Sequence, residues 1–323
     1  MPKAFITGIN GQDGSYLAEH LLSFGYEVGG LVRRSSVAEN QTYRINSIES
    51  NLKTYYGDLI DQNSITDAFR HFKPDLIFNL AAQSHVRLSF DMPGFTAQVN
   101  AVGALNVFKA AKEHCAGARI YQASSSEMFG TSVDPDNYQR ETTPMHPVSP
   151  YGCSKLYAYS IARNFRRAYG LFISNGILFN HESPRRGTNF VTAKVVKGAL
   201  DIKYKKEKFL ELGNLDSYRD WGHSYDYTKA MIKLLEYGEP LDIVIATGKA
   251  HSVKDLCKIV FSKLGMDYKE HIKINPKFLR PQELPYLQGD STKAKQILGW
   301  KPEFTFETLV EDMITHFEAS YKQ

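Results

Sequence analysis

The chain has 323 residues, of which 42% are hydrophobic and 23% charged, with a formal net charge of +4, so it is long enough for one large domain or two coupled domains. No apolar run is long enough to span a membrane, and the N-terminal segment lacks the parts of a signal peptide, so we expect a soluble, cytoplasmic protein. The three cysteines form no C-x-x-C pair and the basic residues are scattered, which argues against a disulfide framework, a zinc site and a nucleic-acid-binding module.

Short apolar strands alternate with helices through the first half of the chain. The predicted strands are 4–7, 27–32, 55–57, 76–79, 120–123 and 172–178, and the predicted helices are 14–24, 95–114 and one that begins near Tyr151. Repeated β-α-β units of this kind indicate a Rossmann-type doubly wound parallel sheet, an α/β fold with helices on both faces.

After about residue 180 this regularity breaks, which predicts a smaller, interwoven C-terminal lobe. Proline and glycine interrupt shorter elements over 180–222 and 249–285, while a helix at 225–237 and a strand at 243–246 return to the sheet. We therefore expect residues 1–180, with returning segments near 223–248, to bind a dinucleotide. Residues 181–323 are expected to form mainly a substrate-binding lobe, and ligands in such sheets bind at the carboxyl ends of the strands.

Three glycines directly after the first strand predict a dinucleotide site. Gly8, Gly11 and Gly14 allow a tight turn, close approach of a pyrophosphate and close packing of the following helix on the sheet. The spacing alone is weak evidence, but its position between a strand and a helix makes it strong.

The end of the second strand favours NADP over NAD. An NAD site places an acidic residue there, whereas this chain has Arg33, Arg34 and Ser35, and guanidinium groups bind a 2′-phosphate in bidentate fashion. The alternative is an exposed basic turn. Asp58, after the third strand, is interpreted either as a partner of the adenine amino group or as a turn cap.

Tyr151 and Lys155 are the predicted acid–base pair. The pattern Y-x-x-x-K occurs three times, but only this copy opens a long helix after the fifth strand. Positions i and i+4 share a helix face, so the lysine ammonium can lower the tyrosine pKa and can hold the nicotinamide ribose. The alternative is that both residues merely line a helix surface.

The strand before this helix ends in Ser125 and Glu127. The serine hydroxyl can bond the substrate hydroxyl that is oxidised, and a residue two positions further along an extended backbone points to the same side. A carboxylate in a hydride-transfer site suggests a second reaction, proton abstraction or elimination of water. Alternatively, Glu127 caps the loop or forms an outward salt bridge.

Together these residues resemble the extended short-chain dehydrogenase/reductase family, and the GDP-mannose 4,6-dehydratases within it. The resemblance covers nearly the whole chain, and its most specific segments are NHESPRR and RDWG. The matching segments are 7–17, 79–86, 149–159, 175–186, 212–222, 280–283 and 289–302.

The resemblance implies a redox-neutral cycle. Tyr151 deprotonates the C4 hydroxyl of the sugar while NADP⁺ accepts the C4 hydride. The 4-ketone acidifies the C5 proton, which Glu127 removes before supplying a proton to the water that leaves C6. The hydride then returns to C6, giving a 4-keto-6-deoxy sugar.

The resemblance also implies a set of binding residues and a homotetramer in which the loop from Arg33 to Arg44 lies at a subunit contact. The implied cofactor contacts, besides those named above, are Asn10, Gln12, Asp13, Leu59, Leu80, Ala81, Ala82, His181 and Arg186. The implied nucleotide-sugar contacts are Ser84, Asn180, Glu182, Ser183, Lys194, Leu212, Gly213, Asn214, Arg219, Arg280 and Glu283, with Arg219 and Arg280 on the diphosphate. Taken alone, His85, His146 and His181 lack metal-ligand spacing and are interpreted as structural hydrogen-bonding groups.

Three departures from the family pattern leave the exact sugar open. Ser125 replaces threonine, 145–148 reads Met-His-Pro-Val where the family has Phe-Tyr-Pro-Arg, and Ala193 replaces the arginine before Lys194. The expected substrate is GDP-D-mannose, and the alternative is a related sugar such as GDP-D-glycero-D-manno-heptose. Further alternatives are a sugar-nucleotide epimerase or decarboxylase, and a catalytically silent NADP sensor.

Overall fold

A parallel sheet lies at the centre of the computed structural model, which describes residues 1–33 and 42–322. In chain order its strands and those of the lobe are β1 Lys3–Thr7, β2 Glu27–Val32, β3 Leu52–Tyr56, β4 Leu76–Asn79, β5 Arg119–Ser125, β6 Ile173–Leu178, β7 Asn180–Glu182, β8 Leu210–Leu212, β9 Tyr218–His223, β10 Asp242–Ile245, β11 Ala250–Ser252, β12 Ile272–Ile274 and β13 Tyr286–Leu287. The central order is β3-β2-β1-β4-β5-β6-β10, and every pair of neighbours is parallel. The predicted fold class is confirmed.

Helices cover both faces of this sheet. They are α1 Gln12–Ser23, α2 Gln62–Phe72, α3 Val86–Asp91, α4 Pro93–Ala97, α5 Gly103–His114, α6 Pro150–Tyr169, α7 Val191–Lys203, α8 Ser224–Glu236, α9 Val253–Lys263, α10 Tyr268–His271, α11 Thr292–Leu298 and α12 Phe306–Ala319. Apolar residues of α1, α8 and α11 pack on one face, and those of α2, α5 and α6 pack on the other. The order of the strands reverses between β1 and β4, so the carboxyl ends of these strands form the crevice in which such folds bind ligands.

The lobe has its own core and its own small sheet. Strand β9 pairs with β7 and β13 in parallel and with β11 antiparallel. Helices α7, α9 and α12 pack around the buried Trp221. Helix α11 lies within the range assigned to the lobe from the sequence but packs on the sheet instead. Among the described residues, no helix has the length and apolar character needed to cross a membrane.

Two predicted elements differ clearly from the structure, and a third element, a helix, was missed. The predicted helix 95–114 is divided, because a π-helical turn at Gln98–Val102 separates α4 from α5. Strand β3 begins at Leu52, earlier than predicted. Helix α2 was missed, although Asp61 caps it and Ile65, Phe69 and Phe72 form a buried stripe.

Asp220 of β9 connects the lobe to the central sheet. Its carboxylate accepts hydrogen bonds from the N–H groups of Thr247, Gly248 and Gly289 at 2.8, 2.9 and 3.3 Å and from the Thr247 hydroxyl at 2.6 Å. Burial raises the pKa of Asp220 to about 6, against the effect of these four donors. Since Thr247 and Gly248 follow β10, this one side chain fixes the seam between the two units.

We expect Asp220→Ala to lower the free energy of unfolding by about 3 kcal/mol, because the donors of the seam lose a common acceptor. Asp220→Asn, which keeps one acceptor oxygen, should have a smaller effect. Urea unfolding measures both, with the exposed Asp216→Ala as the matched control. Equal losses for Asp220→Ala and Asp216→Ala would contradict this role.

Candidate functional site

The turn between β1 and α1 has the geometry of a pyrophosphate cradle. Gly8 has φ +73°, in the left-handed region that glycine adopts freely. A Cβ atom on Gly14 would lie 2.2 Å from the backbone oxygen of Gly8, so α1 can pack here only because Gly14 has no side chain. Gly11 precedes α1 and offers no side-chain cap, which leaves the N–H groups of the first turn available to an anion. The residues present therefore fit a dinucleotide.

The side chains of this turn face inward and bind the segment after β6. Asp13 Oδ2 lies 2.8 Å from His181 Nε2, and Asp13 Oδ1 accepts from the Ser224 hydroxyl at 2.5 Å. Gln12 donates to the His181 carbonyl and accepts from the Ser183 hydroxyl. Both ring nitrogens of His181 are thus occupied within the protein, since Nδ1 lies 2.7 Å from the Phe179 carbonyl.

Asp13 and His181 form a buried charged pair. Burial alone would raise the pKa of Asp13, but the charge and hydrogen bond of His181, together with Ser224, lower it to about 2. Burial alone would lower the pKa of His181, and the Asp13 carboxylate instead raises it. The pair of Asp13 and His181 holds the glycine turn between β1 and α1 against the start of the lobe.

The ribose end of the predicted site is only partly described. Arg33 follows β2 and is exposed, whereas Arg34 and Ser35 lie outside the described residues. Asp58 Oδ1 accepts from the N–H of Ile60 at 3.2 Å, the turn contact that the sequence left as one of two interpretations. Arg44 donates to the carbonyls of Arg185 and Asn10 beside the glycine turn.

The other predicted cofactor residues lie at the carboxyl ends of the strands or beside them. Leu80 and Ala81 follow β4, and their N–H groups both donate to the Thr7 hydroxyl at 3.1 Å. Ala81 also faces Gly8, and Ala82 continues the same segment. Leu59 is buried beneath Gly103 of α5. These residues surround the glycine turn.

Ser125, Glu127 and Tyr151 converge at the end of β5, and all three are buried. The strand ends at Ser125, and Ser126–Met128 forms a 3₁₀ turn. The assumption of an extended backbone from Ser125 to Glu127 is therefore wrong. The turn instead brings the Glu127 N–H to within 3.2 Å of the Ser125 hydroxyl oxygen.

Tyr151 is held in its protonated form in the free protein. Burial raises the pKa of Tyr151 to about 12; the hydrogen bond with Ser125 lowers it, while the charge of Glu127 raises it further. The Lys155 ammonium lies 5.9 Å from the centre of the phenol ring and donates to the Ala123 carbonyl at 3.0 Å. The predicted lowering of the Tyr151 pKa is outweighed by burial.

Lys155 ends a buried chain of polar side chains that crosses the sheet. Thr7 donates to Asn79 at 2.7 Å, Asn79 donates to Gln122 at 2.7 Å, and Gln122 and Lys155 share the Ala123 carbonyl. Burial lowers the pKa of Lys155 to about 8. Sequence reasoning missed Asn79 and Gln122, although a polar residue within an apolar strand is a visible signal.

A second missed group fixes the backbone of Tyr151. Asn100 lies in the π-helical turn and contacts the Gln83 backbone and the Ser154 hydroxyl, which in turn donates to the Tyr151 carbonyl at 2.7 Å. The Ser89 hydroxyl accepts from the Tyr151 N–H at 3.2 Å. Periodicity could not predict a π-helical turn, which recurs at functional sites because it redirects a side chain.

Two arginines bring positive charge to Glu127. Arg280 Nη1 lies 3.4 Å from Glu127 Oε1, and the Arg280 N–H donates to Glu283 at 3.0 Å. Arg219 is buried and donates to the carbonyls of Tyr218 and Leu284. Burial lowers the pKa of Arg219 to about 10, and the charge of Glu127 counteracts that effect.

The remaining predicted substrate residues divide into two groups. The first group lies near the glycine turn. Glu182 contacts Thr192 and lies 2.9 Å from Arg186 Nε. Asn180 begins β7, and Ser84 is exposed after β4. Away from Tyr151, Lys194 lies over the ring of Phe278 at 3.4 Å and lines a cavity of about 650 Å³. The other members of this lobe group are Leu212, buried in β8, Gly213, against the Phe278 backbone, and Asn214, bonded to Ser217.

Comparisons with known proteins agree with this geometry. The family model described as GDP-mannose 4,6 dehydratase matches residues 5–313. The chain is 48% identical to GDP-mannose 4,6 dehydratase 2 of Arabidopsis thaliana, over 96% of this chain and 85% of that protein. It is 47% identical to the human GDP-mannose 4,6 dehydratase, over 96% and 90%. The solved structure of UDP-glucose 4-epimerase from Thermus thermophilus, in complex with NAD, has a TM-score of 0.86 at 24% identity over 98% and 99% of the two chains, a likeness of fold alone.

The charged pair at the phosphate turn should make stability depend on pH. The lowered pKa of Asp13 stabilises the fold above pH 3.8, and this contribution is lost as the pH falls towards 2. The raised pKa of His181 stabilises it below pH 6.5, and this contribution is lost as the pH rises through the folded-state value.

We therefore expect Asp13→Asn to lower the free energy of unfolding by roughly 2 kcal/mol near pH 5 and by less at about pH 2.5 and about pH 9. Urea unfolding at the three pH values measures this loss. A loss that is the same at all three would show that the charge of Asp13 is not what stabilises the turn.

Proposed function

The chain belongs to the GDP-mannose 4,6-dehydratase family, and we propose that it converts GDP-D-mannose to GDP-4-keto-6-deoxy-D-mannose with NADP as a retained cofactor. The whole-length family match supports the reaction class. The observation in the structure that supports it best is the convergence of Ser125, Glu127 and Tyr151 at one buried point, because an added carboxylate is what distinguishes elimination from simple hydride transfer.

In this proposal the sheet domain holds the cofactor and the lobe holds the nucleotide sugar. The glycine turn would bind the pyrophosphate and Lys155 the nicotinamide ribose. When bound, the nicotinamide supplies an acceptor for the C4 hydride and later a donor of hydride to C6. The lobe residues Lys194 and Asn214, with Arg219 and Arg280, would bind the GDP portion.

The first step removes a proton from the C4 hydroxyl. Ser125 orients this hydroxyl, and Tyr151 receives its proton. A tyrosine with a pKa of about 12 is protonated at neutral pH, so the pKa must fall before Tyr151 can act as a base. In the free protein the Ser125 hydroxyl and the charge of Arg186 favour the phenolate. In this proposal the Lys155 ammonium, one helical turn away, adds to their effect.

The second step eliminates water between C5 and C6. The C4 ketone acidifies the C5 proton, Glu127 removes it, and the same carboxyl group returns a proton to the leaving C6 hydroxyl. After hydride reaches C6, the proton that Tyr151 took from the C4 hydroxyl can go to C5. One water leaves and the sugar undergoes no net oxidation, so the atoms balance.

The residues before α6 that differ from the family pattern, 145–148, fit into the surrounding packing. Met145 and Val148 pack against an apolar cluster that includes Phe129, and His146 is exposed with Nδ1 3.1 Å from the Ser132 hydroxyl. Ala193 is fully buried in the lobe core. We favour GDP-D-mannose over GDP-D-glycero-D-manno-heptose as the substrate, because the family model and the similar proteins are GDP-mannose 4,6-dehydratases.

Purified protein incubated separately with the two nucleotide sugars tests this choice by mass. Loss of one water from GDP-mannose, with no net change in NADPH, supports the proposal. Loss of water from the heptose alone would keep the mechanism and change the substrate. Loss of water from neither would favour an epimerase of the same fold.

We further propose a cytoplasmic homotetramer with the loop from Arg33 to Arg44 at a subunit contact. Most of this loop lies outside the described residues, and family resemblance is its support. Light scattering of the purified protein measures the assembly, and a monomeric mass would refute the tetramer.

We expect Glu127→Gln to permit C4 oxidation but block water loss, because the amide cannot accept the C5 proton. NADPH should accumulate, up to the amount of enzyme, without a keto-deoxy product. The absorbance of NADPH and the mass of the product measure the two steps. Normal product formation by this variant would refute the role of Glu127.

We expect Arg33→Ala to weaken the binding of NADP by about tenfold and to leave that of NAD unchanged, because a guanidinium binds the 2′-phosphate that NAD lacks. The NAD-bound epimerase shows that a protein of this fold can bind NAD. Fluorescence titration with both cofactors provides the measurement. Unchanged binding of both would assign Arg33 to an exposed basic turn, and equal weakening would show that it does not select the 2′-phosphate.

A further inference from the structure

The pairing of Glu127 with Arg280 joins the proposed base to the proposed diphosphate site. Arg280 lies between the 3₁₀ turn Pro276–Phe278 and β13, and its Nη1 atom is 3.4 Å from Glu127 Oε1. Among the described residues this is the one ion pair of the Arg280 guanidinium. The Arg280 side chain is 27% exposed and the Glu127 side chain 9%. The contact is long for a charge-assisted hydrogen bond and uses a single nitrogen.

The neighbouring Arg219 is held in a different way. Its Nη1 atom donates to the carbonyls of Tyr218 and Leu284 at 2.7 and 2.8 Å, and the residue is 6% exposed. Within the described part of the chain, this guanidinium is fixed but has no carboxylate in contact. Two cations thus face two carboxylates, Glu127 and Glu283, and the Arg280 guanidinium is paired with Glu127 alone.

A diphosphate is a stronger partner for Arg280 than Glu127 is. It carries more charge than a carboxylate and accepts two parallel hydrogen bonds from one guanidinium. The backbone of Arg280 is anchored, because its N–H donates to Glu283 at 3.0 Å. Only the side chain has to move for the exchange.

We propose that the diphosphate of the substrate draws Arg280 away from Glu127 and thereby frees Glu127 Oε1 to accept the C5 proton. This inference rests on the proposed function and makes Arg280 a positioning residue for the base. Glu127 is released only when a nucleoside diphosphate is in place, so recognition of the remote phosphates is coupled to the elimination step.

A double-mutant cycle on the binding of GDP tests the exchange without any chemistry on a sugar. The NADP-loaded full chain and its Glu127→Gln, Arg280→Gln and double variants are titrated with GDP by calorimetry. If Glu127 competes for Arg280, Glu127→Gln should raise the affinity for GDP by about threefold to tenfold. Arg280→Gln should lower that affinity by at least about tenfold. In the Arg280→Gln background the tightening should disappear.

Two results would overturn the proposal. Equal tightening by Glu127→Gln in both backgrounds would show that Glu127 only repels the phosphates. If Glu127→Gln does not tighten the binding of GDP in the otherwise wild-type chain, Glu127 and the diphosphate do not compete for Arg280.

Matched variants and the choice of ligand keep the outcomes separate. Arg163→Gln and Glu113→Gln remove exposed charges elsewhere on α6 and α5 and should leave GDP affinity unchanged. Arg280→Lys should restore part of the affinity and part of the tightening. Failure to dehydrate GDP-mannose would refute the proposed function but leave the cycle interpretable, whereas absence of GDP binding to the wild type would refute the exchange itself.

Discussion

The close approach of two backbone segments, where α1 crosses the end of β1, determines the position of much of the site. A single methyl group at position 14 would collide with the Gly8 carbonyl. The helix can therefore pack this closely on the strand only with glycine at that position. The approach brings the first turn of α1 to the point where the strand order reverses. It also places Gln12 and Asp13 within hydrogen-bonding distance of the segment after β6, so the same constraint creates the anion cradle and attaches the lobe to it.

The buried polar groups of the site are fixed before any ligand arrives. The chain from Thr7 through Asn79 and Gln122 to Lys155 satisfies each donor across three strands, and a buried network of this kind is rigid because every member that moves leaves an unpaired group. The network also fixes the position of Lys155. In the free protein its ammonium is bound to a carbonyl, and burial leaves the pKa of Tyr151 at about 12. The proposed role of Tyr151 as a base therefore requires the charge distribution of the free site to change on binding.

Local patterns predicted the parts of this site that depend on neighbouring residues in the chain. The glycine turn, the helix that begins near Tyr151 and the alternation of strands and helices follow from short-range spacing, and the structure has them. Patterns failed where distant segments decide the outcome. The 3₁₀ turn at Ser126–Met128 and the π-helical turn at Gln98–Val102 leave no periodic signal, because each is stabilised by contacts with other elements. The pairing of Glu127 with Arg280, 153 positions apart in the chain, could not be derived from either segment alone.

The lobe is attached to the sheet and also contributes charged groups to the site. Through Asp220 it is fastened to the sheet, and through Arg219 and Arg280 it places two cations at the end of β5, where the sheet supplies one carboxylate. The lobe also supplies Glu283, so two cations face two carboxylates before a ligand enters. In the proposed exchange the diphosphate takes the place of Glu127 on Arg280. A sugar presented without its diphosphate would then meet a proposed base that is still paired with Arg280.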